Sequence, residues 1–66
     1  MNDESRLNWI EAADAQVWSN HNTKKEVISW TVQLFIEHDG KRICIQPTCV
    51  GLREAIDKAI AQWKYL

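Results

Sequence analysis

Ile28-Ser29-Trp30-Thr31-Val32-Gln33-Leu34-Phe35-Ile36-Glu37, then His38-Asp39-Gly40-Lys41, then Arg42-Ile43-Cys44-Ile45-Gln46: this stretch decides the fold. Alternate positions Ile28, Trp30, Val32, Leu34 and Ile36 are apolar, and β-branched residues are frequent among them. A period of two with one apolar face predicts a half-buried strand. Asp39-Gly40 between two such runs is the preferred two-residue turn of a β-hairpin. With that pair as the turn, the numbers of facing residues sum to 79, as 39 and 40 do. Ile36 then faces Ile43 and Leu34 faces Ile45 on the apolar side. Glu37 faces Arg42, Phe35 faces Cys44 and Gln33 faces Gln46 on the other. Apolar meets apolar and a carboxylate meets a guanidinium, which fixes the register.

Pro47 falls opposite Val32 in this register and is expected to end the return strand, having no N–H to donate. Val27 to Thr31 would then outrun their hairpin partner and need another strand. That strand comes either from the N-terminal segment or from a second molecule, so a homodimer is expected.

Beyond Pro47-Thr48, the positions Leu52, Ala55, Ile56, Ala59, Ile60 and Trp63 form one stripe of an amphipathic helix. Gly51 or Thr48 could cap it. Arg53 with Asp57 and Glu54 with Lys58 are opposite charges four residues apart on its outer face. Upstream, Asn8-Trp9-Ile10-Glu11 has the form of a capping box, and Ala12, Ala13 and Ala15 favour helix. A helix over 9–18 is favoured, with Ile10, Ala13 and Val17 on one face. The rival is a short strand over 15–19 lying beside Val27 to Thr31. The polar run 19–25 reads as a loop under either reading, and residues 1–7 as flexible. The fold class expected is α+β in one small domain spanning 1–66, with the order α-β-β-α.

Length bounds the chemistry. A 66-residue chain buries only about 60% of the surface that its unfolded form exposes, leaving little material for an enclosed active site. Cys44, Cys49, His21 and His38 are the soft metal ligands. His38 sits at the hairpin tip and Cys49 beyond the far end of the return strand, so no zinc site is expected. Cys44 reads as a small hydrophobe beside Phe35. No phosphate loop, Cys-x-x-Cys or Gly-x-Ser-x-Gly motif occurs. No catalytic residue and no cofactor are expected.

Eight basic against nine acidic residues leave a net charge of −1, which disfavours a general nucleic-acid or anionic-membrane binder. Lys24-Lys25 and Lys41-Arg42 lie at opposite ends of the long strand and form no single patch within one molecule. With no apolar run long enough to span a membrane, no signal-peptide pattern and only two cysteines, a cytoplasmic location is expected.

Four tryptophans are unusual in so short a chain. Trp30 and Trp63 fall in apolar stripes and read as core. Trp9 and Trp18 read equally well as core or as interface anchors. On the sheet face that the C-terminal helix leaves open stand Thr31, Gln33, Phe35 and Gln46, a charge-poor group with one aromatic. Phe35, Thr31, Gln33, Gln46, Trp9 and Trp18 are therefore the candidate partner-binding residues. The leading expectation is a non-enzymatic protein-binding module: an adapter, inhibitor or accessory protein that occupies a partner's surface. Its size is typical of products of phage and other mobile elements. A nucleic-acid-binding module acting as a dimer is the alternative.

Overall fold

The computed structural model describes residues 2–65. Its elements in chain order are α1 (Asp3–Ala13), β1 (Gln16–His21), β2 (Val27–His38), β3 (Lys41–Ile45), β4 (Thr48–Cys49) and α2 (Leu52–Lys64). The four strands make one antiparallel sheet in which β1 lies on one side of β2, with β3 and β4 on the other. Two helices and this sheet form a small α+β domain.

The β2–β3 hairpin has the register that its turn dictates: Ile36 pairs with Ile43, Leu34 with Ile45, Phe35 with Cys44 and Glu37 with Arg42. Asp39 (φ 52°) and Gly40 (φ 74°) both take positive φ, the signature of a type I′ turn.

Pro47 does not end the pairing. Its carbonyl accepts a hydrogen bond from the Val32 N–H at 3.1 Å. The same register then resumes in β4, where Thr48 pairs with Thr31 and Cys49 with Trp30. A proline forfeits only its own donor, and a neighbouring strand can step over that gap.

On the opposite side of β2, β1 pairs from Gln16 with Gln33 through Asn20 with Ser29, and a bulge follows before His21 meets Val27. The segment Val27 to Thr31 is therefore bordered by β1 and reached by β4. The overhang that made a homodimer expected is filled within one chain.

The N-terminal third also departs from the expected helix over 9–18. α1 begins at Asp3, six residues before that span, and ends at Ala13. Asn2, rather than Asn8, caps it: the Asn2 Oδ1 accepts from the Ser5 N–H at 2.8 Å. Asp14 stops the helix by taking a left-handed conformation (φ 53°, ψ 42°), which a short polar side chain tolerates better than most. Residues 16–21 are strand, and the connecting turn is confined to 22–26, where the Asn22 Oδ1 accepts from the Lys24 and Glu26 N–H groups. The expected flexible stretch 1–7 is helical from Asp3, while Met1 lies outside the described residues.

Both helices pack on one face of the sheet. The buried core joins Val32, Leu34, Ile45 and Cys49 to Ala55, Ile56, Ala59 and Ile60 of α2. Trp9, Ile10 and Ala13 of α1 pack against this cluster. Arg6 stands on the same stripe, at the spacing that a core-facing helix would give to an apolar residue. It forks onto Asp57 of α2 through Nε and Nη2 at 2.8 and 2.9 Å. Arg53 of α2 forks in turn onto Asp3 at 2.8 Å through both nitrogens, and the Arg6 Nη1 reaches Asp3 at 2.9 Å. Arg53 and Asp57 of α2 thus serve α1 instead of pairing with each other. Further on, the Trp63 and Trp9 rings meet edge to face with centroids 6.3 Å apart. With Asp3 beside Arg53, Arg6 beside Asp57 and Trp9 beside Trp63, the two helices run side by side in the same direction.

These forks make α1 sensitive to acid. Hydrogen bonding to Arg53 lowers the Asp3 carboxyl from 3.8 to about 2, and hydrogen bonding to Arg6 lowers the Asp57 carboxyl. A carboxyl whose pKa is lower in the folded than in the unfolded chain contributes stability above its unfolded pKa. It loses that contribution as pH falls through the folded value. Near-ultraviolet circular dichroism of the Trp9–Trp63 pair should therefore fade between about pH 4 and pH 2, before the sheet is lost. Asp3→Asn removes one titrating partner and should shrink that transition. An unchanged acid profile in Asp3→Asn would show that this fork does not control helix docking.

Candidate protein-binding face

With α1 and α2 on the same side, the other face of the sheet carries no helix among the described residues. Strand alternation assigns its side chains. From β1 they are Gln16, Trp18 and Asn20; from β2 they are Ser29, Thr31, Gln33, Phe35 and Glu37. Arg42 and Cys44 of β3 and Thr48 of β4 lie opposite them.

The middle of this face is a polar relay across three strands. The Asn20 Nδ2 donates to the Ser29 Oγ and to the Thr31 Oγ1, each at 3.0 Å. The Thr31 and Thr48 hydroxyls share a hydrogen bond at 2.8 Å. Thr31 is only 3% exposed although no helix covers it. Its neighbours Trp18, Asn20 and Thr48 close over it, and its hydroxyl is satisfied on both sides, as burial requires. A second, looser group lies nearer the hairpin tip. There the Gln33 Nε2 donates to the Cys44 Sγ at 3.7 Å, and Cys44 in turn points its thiol at the Gln46 Oε1 at 3.9 Å.

Phe35 stands at the end of this row, 48% exposed. The Arg42 guanidinium carbon lies 4.3 Å from the centre of its ring, within cation–π range. This contact occupies Arg42, and no ion pair joins it to its cross-strand neighbour Glu37 among the described residues.

Of the six residues that the sequence nominates, Trp18, Thr31, Gln33 and Phe35 share this face. Gln46, exposed just past β3, reaches it through Cys44. Trp9 does not: it lies across the sheet, under α1 against Trp63, with its Nε1–H buried and without an acceptor. Asn20 and Thr48 complete the relay; the sequence does not single them out, because both depend on strands that the alternation of residues 28–46 does not reveal.

Cys44 and Cys49 are free thiols, the first exposed and the second in the core. Among the described residues no group of three or more His, Cys, Asp and Glu side chains is placed to hold a metal ion. No helix among them is long and apolar enough to cross a membrane. No protein-family model, curated protein or solved structure matches this chain.

Proposed function

We propose that this chain is a small non-enzymatic protein-binding module that docks its partner on the open face of the sheet, acting as an adapter, inhibitor or accessory protein. One observation carries the reading. A whole sheet face stands free of both helices, with an uncharged hydrogen-bonded centre flanked by two aromatics, Trp18 and Phe35. Centres of protein interfaces are depleted in charge and enriched in aromatic residues. The side chains there are also held before any partner arrives. The Asn20–Thr31–Thr48 relay fixes three of them, and the stacked Arg42 fixes Phe35, so little side-chain entropy is lost on docking. A reducing, cytoplasmic setting suits the exposed Cys44 thiol, and a single copy presents the complete face.

The test is capture from a nuclease-treated lysate, run beside an untreated one, with the full chain immobilised through its C-terminus. A protein retained equally in both and released by free chain supports the reading. Capture that disappears with nuclease transfers the face to a nucleic-acid partner and overturns it.

A further inference from the structure

β2 is twelve residues long, and its two borders are not equally filled. β3 and β4 accompany it from the hairpin tip back to Trp30, whereas β1 begins only at Gln16, opposite Gln33. Before Gln16 the chain turns away. Left-handed Asp14 redirects it, and the Ala15 N–H is taken by the Ile10 carbonyl at 3.0 Å. Among the described residues, no strand borders Leu34 to His38 on this side.

The hairpin decides which backbone groups face that vacancy. A type I′ turn is closed by a mutually hydrogen-bonded pair, here His38 with Lys41. Stepping back by twos, Ile36, Leu34 and Val32 also turn their N–H and C=O toward β3, as the 3.1 Å bond from Val32 to Pro47 attests. Phe35 and Glu37 therefore aim theirs the other way. They look into a cavity of about 370 Å³ lined by Ala13, Asp14, Phe35, Ile36, Glu37 and Arg42. Two donors and two acceptors at strand spacing form half of a β-ladder.

The charge around the cavity states what kind of strand would complete it. Asp14 and Glu37 are carboxylates with no cationic partner among the described residues, and Arg42, the one cation in the lining, is stacked on Phe35. We propose that the empty border of β2 at Phe35 and Glu37 receives an extended, basic segment of the partner protein, which adds an antiparallel strand along the track of β1. This rests on the protein-binding reading and names the partner's contribution. The alternation of the added strand follows from the pleat. Residues beside Phe35 and Glu37 emerge on the open face, where a lysine or arginine meets the carboxylates. The residue between them turns toward Ile36 and Ala13 and is apolar.

A capped heptapeptide alternating lysine and valine is the probe, titrated into the full ¹⁵N-labelled chain. The expected result is amide shifts centred on Phe35 and Glu37, with hydrogen exchange at those two N–H groups slowed at least tenfold at saturation. Glu37→Lys should weaken binding at least tenfold, and so should N-methylation of the peptide on the nitrogens that face β2. The methylated peptide is tested on the unaltered chain, so its outcome does not depend on the variant's folding. No shift at millimolar peptide, shifts along β1 or β3 instead, or equal binding by a glutamate–valine peptide would each overturn the proposal. If the peptide fails while a nuclease-resistant partner is still captured, the border site falls and the open-face reading stands. If the peptide binds while capture depends on nucleic acid, the border site stands and that reading falls.

Discussion

Leu34→Ala should unfold this domain or bring it close to unfolding at room temperature. Leu34 is 2% exposed at the centre of β2, in the core cluster shared with Val32, Ile45, Ile56 and Ile60. Truncating a buried leucine costs about 2–5 kcal/mol, the larger values applying where the surroundings cannot collapse into the space. Here the β3 strand paired at Ile45 and a helix pinned by side-chain forks restrict that collapse. A chain of this size has roughly 3–10 kcal/mol in total, so the substitution removes a large part of it. The melting temperature should fall by roughly 10–40 °C, or the cooperative transition should vanish. Leu7→Ala is the matched control: Leu7 is 66% exposed on α1 and should melt within a few degrees of the parent. A Leu34→Ala protein that did the same would show that the core lies elsewhere.

One residue along, Phe35→Ala should behave in the opposite way. Phe35 faces away from the helices, and in the free chain it loses on truncation mainly its contact with Arg42. An exposed cation–π pair contributes about 0.5–1 kcal/mol, so the melting temperature should drop by only a few degrees. The partner's affinity should fall by about 2 kcal/mol or more, the range of an aromatic anchor, which is roughly thirtyfold in Kd. Calorimetry with the captured partner reads the second number and a thermal melt the first. A large loss of melting temperature would make Phe35 a structural residue and withdraw it from the binding face. Unchanged affinity would do so as well. Adjacent residues with opposite phenotypes are what a two-faced sheet demands.

The hairpin was legible because Asp39-Gly40 specifies both the turn and the register, after which each cross-strand pair can be checked against its neighbour. That register alone puts Phe35, Cys44, Thr31 and Gln33 on the open face. β1 escaped because its alternation is faint: Val17 and Ser19 turn inward while Trp18 and Asn20 turn outward, and only one inward residue is apolar. The alanines upstream favour helix by intrinsic propensity, and the pairing of 16–21 with β2 overrode it. Val27 to Thr31 do not overhang because Pro47 lacks only its N–H, and its carbonyl still serves the ladder. Trp9 and Trp18 could not be told apart by type. What separates them is Asp14, whose left-handed backbone puts one in a helix and the other in a strand.

The guanidinium forks between α1 and α2 also set an order of events. Each sheet pairing joins strands that are neighbours along the chain or nearly so, but Asp3 to Arg53 and Arg6 to Asp57 close separations of 50 and 51 residues. Ordering a chain across such a span costs more entropy than closing a hairpin, and ion pairs on the surface gain little until both helices exist. The strands and α2 should therefore assemble first and α1 should arrive last, as a latch drawn across a finished sheet. By the same balance, α1 should be the first element to leave as the molecule fluctuates. Its departure frees Ala13 and Asp14, which form one wall of the cavity beside Phe35 and Glu37. Lifting the latch should therefore widen the vacant border of β2, so a strand arriving there should be admitted faster when the clasp at the other end of α1 is loosened.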